Sequence, residues 1–319
     1  MRKTGARLSS IYIKILSRYY INIIKMKAYF NGFWQGFFEK TDPIHIEFFL
    51  KLLTDVFSED IAVSYNLDEA DILMESIFTN TTHINHKDWK ASFLFTGESY
   101  YAKCMNNNLS LYTCILGFNS TINNFVEFPF FVVYLKSFPN MTFESAKTIQ
   151  NNYTGAVISN GSLNERTTFL AKLESRLPVL YGGSYKNNIG GKIEGNFSSD
   201  NLLNFYKYTK FVITMENAKI GHYITEKLIN GLRAGTIPIY WGSSHISKYF
   251  NSKRFLILED TTESSINAVI DRMVNMSNEE YFQIVNEPIF NIDINTVYDN
   301  AINNIKMLVL NPSKLLAYL

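Results

Sequence analysis

The stretch from Phe211 to Gly242 constrains this chain more than any other. Phe211-Val212-Ile213-Thr214 is a short apolar run, Glu216 to Tyr223 reads as a loop, and Thr225 to Ala234 carries a helical pattern. Gly235 stops that helix, and Ile237-Pro238-Ile239-Tyr240 returns as a second apolar run. A strand, a helix and a strand in that order can bury both runs in a parallel sheet with a right-handed crossover.

The same theme recurs upstream. Gly155-Ala156-Val157-Ile158 reads as a strand, Glu165 to Ser175 as a helix that Pro178 stops, and Val179-Leu180-Tyr181 as a strand broken at Gly182-Gly183. Nearer the start, Lys27 to Phe30, Ile61 to Tyr65, Asp71 to Met74, Phe93 to Phe95 and Cys114 to Phe118 are five more candidate strands. Asp42-Pro43 is expected to open a helix, with Asp as cap and Pro in the first turn, whose apolar face is Ile46, Phe49, Leu52, Leu53 and Val56. Towards the end, Ser277 with Glu280 suggests a capping box, and Thr296 to Leu310 a last helix. The fold class expected is α/β, two Rossmann-like domains facing a cleft. The boundaries are a basic segment at 1–24, a first domain at 25–150 and a second at 151–319.

Charge separates those parts. The chain has 30 basic and 29 acidic residues among 319, yet Arg2, Lys3, Arg7, Lys14, Arg18, Lys25 and Lys27 stand in the first 27 with no acid between them. Removing those seven leaves 23 basic against 29 acidic residues, a net charge of −6 for the body. A body of that sign does not suit a general nucleic-acid binder, and no nucleic-acid partner is expected. Lys14 and Arg18 interrupt the apolar residues near the start, which disfavours a spanning helix or a secretory leader and leads to a cytoplasmic expectation. The basic segment is the part suited to peripheral contact with a membrane surface. Cys104 and Cys114 are too few for a disulfide framework and read as small hydrophobes in a reducing compartment.

Three positions could carry chemistry. Thr225-Glu226-Lys227 starts a helix directly after a strand and loop, where unpaired N–H groups and the helix dipole favour an anion such as phosphate. Lys227 would add a full charge there. The plain alternative is a solvated Lys227 beside a Glu226 that merely complements the dipole. Arg166 has the same address on the preceding βα unit and could grip the same anion, although a lone arginine in a first turn is often only solvated. Glu98 follows the strand Phe93 to Phe95, where it would be either a general base at the cleft or an ordinary turn residue; Glu127 is the substitute carboxylate. His83 and His86 lack a third ligand at sensible spacing, so no metal site is assigned.

The ordered run Lys210 to Asn217, Gly221-His222-Tyr223-Ile224-Thr225-Glu226-Lys227-Leu228-Ile229 and Ala234 to Gly242 closely resembles the donor-binding motif of the α-1,3-fucosyltransferases, glycosyltransferase family 10. The resemblance extends through Val157 to Asn160, Arg166, Gly182-Gly183, Asn187-Asn188 and Gly190, and reaches Phe95 to Glu98 and Asn108 to Phe118 in the first half. It is strongest over about 155 to 260 and weakest in the first 80 residues. It implies a GT-B glycosyltransferase that takes GDP-fucose as donor and an oligosaccharide or glycolipid as acceptor, without a tightly bound metal though with room for stimulation by a divalent ion. It also implies that Arg166 and Lys227 hold the diphosphate, that Tyr223 and Glu226 fix the ribose and guanine portion, and that Glu216 and Asn217 line the fucose side. Glu98 would be the general base. The residues after it, Ser99-Tyr100-Tyr101, depart from the family's usual run.

Overall fold

The computed structural model describes residues 25–118, 122–144 and 152–310. The basic segment at 1–24 and the expected junction at 150–151 lie outside the described residues. Among the described residues, strands β1 (Lys27–Asn31), β2 (Ala62–Val63), β3 (Ile72–Ser76), β4 (Ala91–Phe95), β5 (Cys114–Gly117) and β6 (Phe125–Glu127) form a first sheet in the order β2-β1-β3-β4-β5-β6. Strands β7 (Thr154–Ala156), β8 (Val179–Tyr181), β9 (Phe211–Ile213), β10 (Ile237–Tyr240) and β11 (Leu256–Ile257) form a second, in the order β11-β10-β9-β7-β8. Every pairing is parallel. Every residue of β3, β4 and β5 is buried, because helices cover both faces of a parallel sheet.

The sequence expectations hold for most central elements and fail at edges. The run Ile61 to Tyr65 contributes only two strand residues, since it lies at the sheet edge and Tyr65 is 83% exposed. Helix α1 (Ile46–Phe57) buries the expected apolar face but does not start at Asp42-Pro43. Asp42 Oδ1 instead accepts the Ile44 N–H at 2.9 Å, closing a local turn that competes with helix, and His45 becomes the N-cap. Strand β6 was not read from the sequence, because Phe125-Val126-Glu127 is too short to show a period.

The second sheet carries α3 (Asn164–Glu174) after β7, α4 (Asp200–Lys207) before β9, and α5 (Glu226–Arg233) between β9 and β10. After β10 come α6 (Ile246–Tyr249), α7 (Glu263–Asn275) and α8 (Asn278–Val285). Ser277 caps α8 through the Glu280 N–H at 3.1 Å, but the Glu280 carboxylate takes Arg272 Nε at 2.9 Å rather than completing the box.

Two helices weld the units together. Helix α2 (Phe130–Ser137) follows β6 and packs on α5, so that Phe131 and Tyr134 share one apolar cluster with Ile224, Leu228 and Leu232. The last helix, α9 (Ile294–Leu310), comes after the second sheet in sequence yet packs on α1, α2 and β6. Its Tyr298, Ala301, Ile302 and Ile305 are buried in that same cluster, and Tyr298 OH donates to Asp55 at 2.8 Å.

Candidate active site

In each sheet the chain reverses its direction of strand addition at one point, between β1 and β3 in the first and between β7 and β9 in the second. Loops leaving two such strands run apart, and the gap at their carboxyl ends is where open α/β sheets bind ligands. The second sheet has a cavity of about 660 Å³ there. Its walls are Val157 to Asn160 after β7, Gly182 to Ser184 after β8, Met215 and Asn217 after β9, Lys192 to Phe197, and Arg166, Glu226 and Lys227. Asp42 reaches it from the first unit.

Arg166, on the first turn of α3, is only 5% exposed. Its Nη2 donates to Met215 O at 2.9 Å, Glu216 O at 3.1 Å and Asn217 Oδ1 at 3.1 Å, and Nη1 reaches Asn160 O at 3.4 Å. The solvated reading of this arginine is therefore excluded. It fixes the loop after β9 while its cation lines the cavity. Burial lowers its pKa, partly offset by Glu216.

Lys227 is placed by a second construction. Thr225 caps α5, its Oγ1 taking the Lys227 N–H at 3.4 Å and the Lys227 ammonium at 3.0 Å. Glu216 lies beneath, fully buried. Its Oε1 accepts the Thr225 N–H at 2.7 Å and its Oε2 the Thr225 hydroxyl at 2.8 Å, with Lys227 Nζ at 3.4 Å. Glu216 therefore does not line the cavity as the resemblance implies; it is a brace under the helix start. A Cβ on Gly242 would come within 2.7 Å of Glu216 Cγ, so the loop after β10 lies directly against the carboxylate stem. Burial raises the Glu216 pKa. Burial alone would lower that of Lys227, but Glu226, Glu216 and Glu98 hold it above the usual lysine range.

Glu98 comes from the other unit. Tyr223, also buried and outside the cavity lining, donates its hydroxyl to Glu98 Oε2 at 3.3 Å, and its ring meets Phe118 edge-on at 5.7 Å. Asn217, which accepts from Arg166, also lies near enough to Glu98 to favour its charged form. Burial raises the Glu98 pKa against the pull of Lys227, Tyr223 and Asn217. Tyr223 is thus a bridge to Glu98. Glu226 does line the cavity and lies 3.7 Å from Lys227 Nζ.

The substitute carboxylate is engaged elsewhere, since both Glu127 oxygens accept from Lys248, at 2.8 and 3.0 Å. His86 pairs with Asp68 at 2.7 Å and His83 sits edge-on to Tyr29. Among the described residues no group of three His, Cys, Asp or Glu side chains is placed to hold a metal. The sequence reading missed Lys192, Asn196 and Asn230 on the cavity wall. The signal for Lys192 and Asn196 is the glycine pattern, since Gly190 and Gly195 take φ of +89° and +100° and shape the loop that carries them, whereas Asn230 inside α5 has no such signal.

Residues 148–285 match the family described as glycosyltransferase family 10 (fucosyltransferase), C-terminal part. The second unit of this chain is thus similar to the C-terminal part of that family. The chain is 33% identical over 117 residues to the α-(1,3)-fucosyltransferase FucT of Helicobacter pylori, a match covering 37% of this chain and 23% of that protein. It is 38% identical over 92 residues to a putative fucosyltransferase of Acanthamoeba polyphaga mimivirus, covering 29% and 15%. The chain thus spans about a quarter or less of the length of these curated relatives. A crystal structure of an α1,3-fucosyltransferase with GDP-fucose superimposes over 90% of this chain and 91% of that one, with a TM-score of 0.65 at 20% identity. A further α1,3-fucosyltransferase crystal structure gives 0.69 at 19% identity, over 90% of both chains. The chain therefore has the GT-B fold, two parallel-sheet α/β units across a cleft. Among its described residues no helix is long and apolar enough to cross a membrane.

Proposed function

We propose that this protein is a family 10 fucosyltransferase that moves L-fucose from GDP-fucose to a glycan hydroxyl with inversion, forming an α-1,3 link to an N-acetylglucosamine or glucose unit. One observation carries the reading: a buried arginine and a helix-start lysine line one cavity, and a carboxylate of raised pKa, Glu98, is held by Tyr223 within electrostatic reach of that lysine. The named relatives and the structure solved with GDP-fucose support the choice of donor.

The chemistry follows from the parts. The acceptor hydroxyl attacks the anomeric carbon on the face opposite the diphosphate, its proton passes to Glu98, and the bond to the GDP oxygen breaks as the new glycosidic bond forms. Fixed positive charge at Arg166, Lys227 and the start of α5 meets the charge growing on the leaving diphosphate, and a preorganised charge has little reorganisation left to do. Configuration inverts because there is a single displacement. Asn217 and Glu226 are assigned to the fucose and ribose sides. The acceptor is assigned to the first unit's switch point, where Trp34 and the 48% exposed Phe78 stand edge to face at 6.2 Å.

Release of GDP from GDP-fucose with and without an N-acetyllactosamine-type acceptor tests the assignment. Acceptor-dependent release is expected. Turnover with another nucleotide sugar and none with GDP-fucose would overturn the donor, while calorimetric binding of GDP without product from any acceptor would reduce the protein to a binding module.

A further inference from the structure

The segment from His222 to Ile224 belongs to the second unit but is bonded residue by residue to the first. The His222 N–H donates to Phe118 O at 2.7 Å, Tyr223 OH donates to Glu98 at 3.3 Å, and Ile224 O accepts the Phe131 N–H at 3.0 Å. Two residues later the chain enters α5 and places Lys227. This seam therefore sits between the carboxylate on one wall and the cation on the other.

Glu127, at the end of β6, adds the charged contact to that seam. Its two oxygens accept from Lys248 Nζ, and Oε1 lies 3.2 Å from His222 Nδ1. The same His222 nitrogen is 3.2 Å from Tyr249 OH, and the His222 ring stacks on His245 with centroids 4.1 Å apart. His245 Nδ1 in turn lies 3.3 Å from Gly221 O. Lys248, His222 and His245 all belong to the second unit and gather around one acid of the first. Without that acid a lysine and two stacked imidazoles would face one another with no countercharge from the first unit's strand end. Glu127 does not line the cavity and is consumed as an acceptor, so it is badly placed to touch substrate.

We infer that Glu127 is a positioning residue: by anchoring Lys248 and His222 it fixes the seam between the two units and so the spacing of Glu98 from the anion cavity. The inference rests on the transfer reaction proposed above. Group transfer is steep in such spacing, since misplacement of a reacting group by an ångström costs about a hundredfold in rate.

The test uses the full chain and compares the wild type with Glu127→Gln and with the charge-swapped pair Glu127→Lys, Lys248→Glu. Three quantities are measured: kcat with GDP-fucose and an N-acetyllactosamine-type acceptor, GDP affinity by calorimetry, and hydrogen exchange of the His222 amide. For Glu127→Gln, kcat should fall about tenfold or more, as a partial misplacement would give, with GDP affinity held within about twofold and faster exchange at His222. The swapped pair should recover most of the loss. An unchanged kcat, no recovery on swapping, or a loss of GDP affinity in step with kcat would overturn the positioning role. Should the wild type transfer no fucose, the proposed reaction fails on its own account, and the His222 amide decides the tie: unchanged exchange in Glu127→Gln overturns it, faster exchange upholds it.

Discussion

The two walls of the cleft are built by opposite means. On the second unit, the switch point between β7 and β9 is furnished with Arg166, Lys227 and Glu216, charges bound to backbone and to one another. On the first, the switch point between β1 and β3 carries Trp34 and Phe78, with Asn31 and the buried Glu75 tied together behind them at 2.6 Å. A diphosphate needs fixed positive charge, which must be positioned before the ligand arrives because buried ions move at great cost. A sugar offers apolar C–H faces, for which an aromatic surface suffices. The contrast teaches that, under the proposed transfer, the wall built of charges is rigid by electrostatic necessity, whereas the aromatic wall can vary by exchanging single rings.

The sharpest way to break this contrast is to remove the Glu98 charge from the first wall. Glu98→Gln should lower kcat by about two to four orders of magnitude, the usual size for a lost general base, while GDP affinity measured by calorimetry stays put. Its pH dependence sharpens the point. Burial first, against Lys227, Tyr223 and Asn217, raises the Glu98 pKa above its ordinary 4.5. A carboxyl raised in the folded state binds its proton more tightly there than when unfolded. Its stabilising contribution is therefore complete below the ordinary value and fades as pH climbs through the folded value. Activity should rise over that same interval. Glu216 is raised as well and adds stability of the same sign, so the pH–stability curve of Glu98→Gln should retain the Glu216 part and lose only the Glu98 part. A rising activity limb that survives in Glu98→Gln would show that another group is the base.

On the second wall, Glu216→Ala should cost about 3 kcal/mol in denaturant unfolding, because it leaves the Thr225 N–H and hydroxyl and the Lys227 ammonium without their buried acceptor. Glu216→Gln, which keeps one oxygen, should cost about 1 kcal/mol. Equal losses for the two would mean that packing rather than hydrogen bonding matters there. Arg166→Ala should weaken GDP binding about ten- to a hundredfold, in line with charge-assisted hydrogen bonds of about 1.5–3 kcal/mol, and a calorimetric titration measures it directly. The smallest effect belongs to the aromatic wall. Phe78→Ala should raise the acceptor KM only several-fold, about 1 kcal/mol, and leave the donor KM alone. A change in the donor KM would place Phe78 on the wrong side of the cleft.

Much of the architecture was legible because buried parallel strands announce themselves as short apolar runs. β4, β8 and β10 fall where Phe93 to Phe95, Val179 to Tyr181 and Ile237 to Tyr240 suggest. The start of α5 was legible too, since a capping Thr225 ahead of Glu226-Lys227 is a local signal. Legibility stopped where meaning depends on distant neighbours. Glu216 and Asn217 are adjacent and are expected to share a role, yet one is sealed beneath Thr225 and the other accepts from Arg166 at the cavity wall. Tyr223 was expected at the nucleotide and instead bridges to the first unit.

What the sequence by itself determined is the alternation of strands and helices, the cap that places Lys227 and the family motif, because each is carried by residues within a few turns of one another. Tertiary structure alone decided that Arg166 is buried, that Glu216 is sealed beneath Thr225, and that Glu98 meets Tyr223 across 125 positions of chain. It also decided that α9 returns to the first unit and that Glu127 holds Lys248 and His222. The physical reason is common to all of them: desolvation and Coulomb interaction depend on separation in space, and the chain encodes that separation only through the packing of the whole.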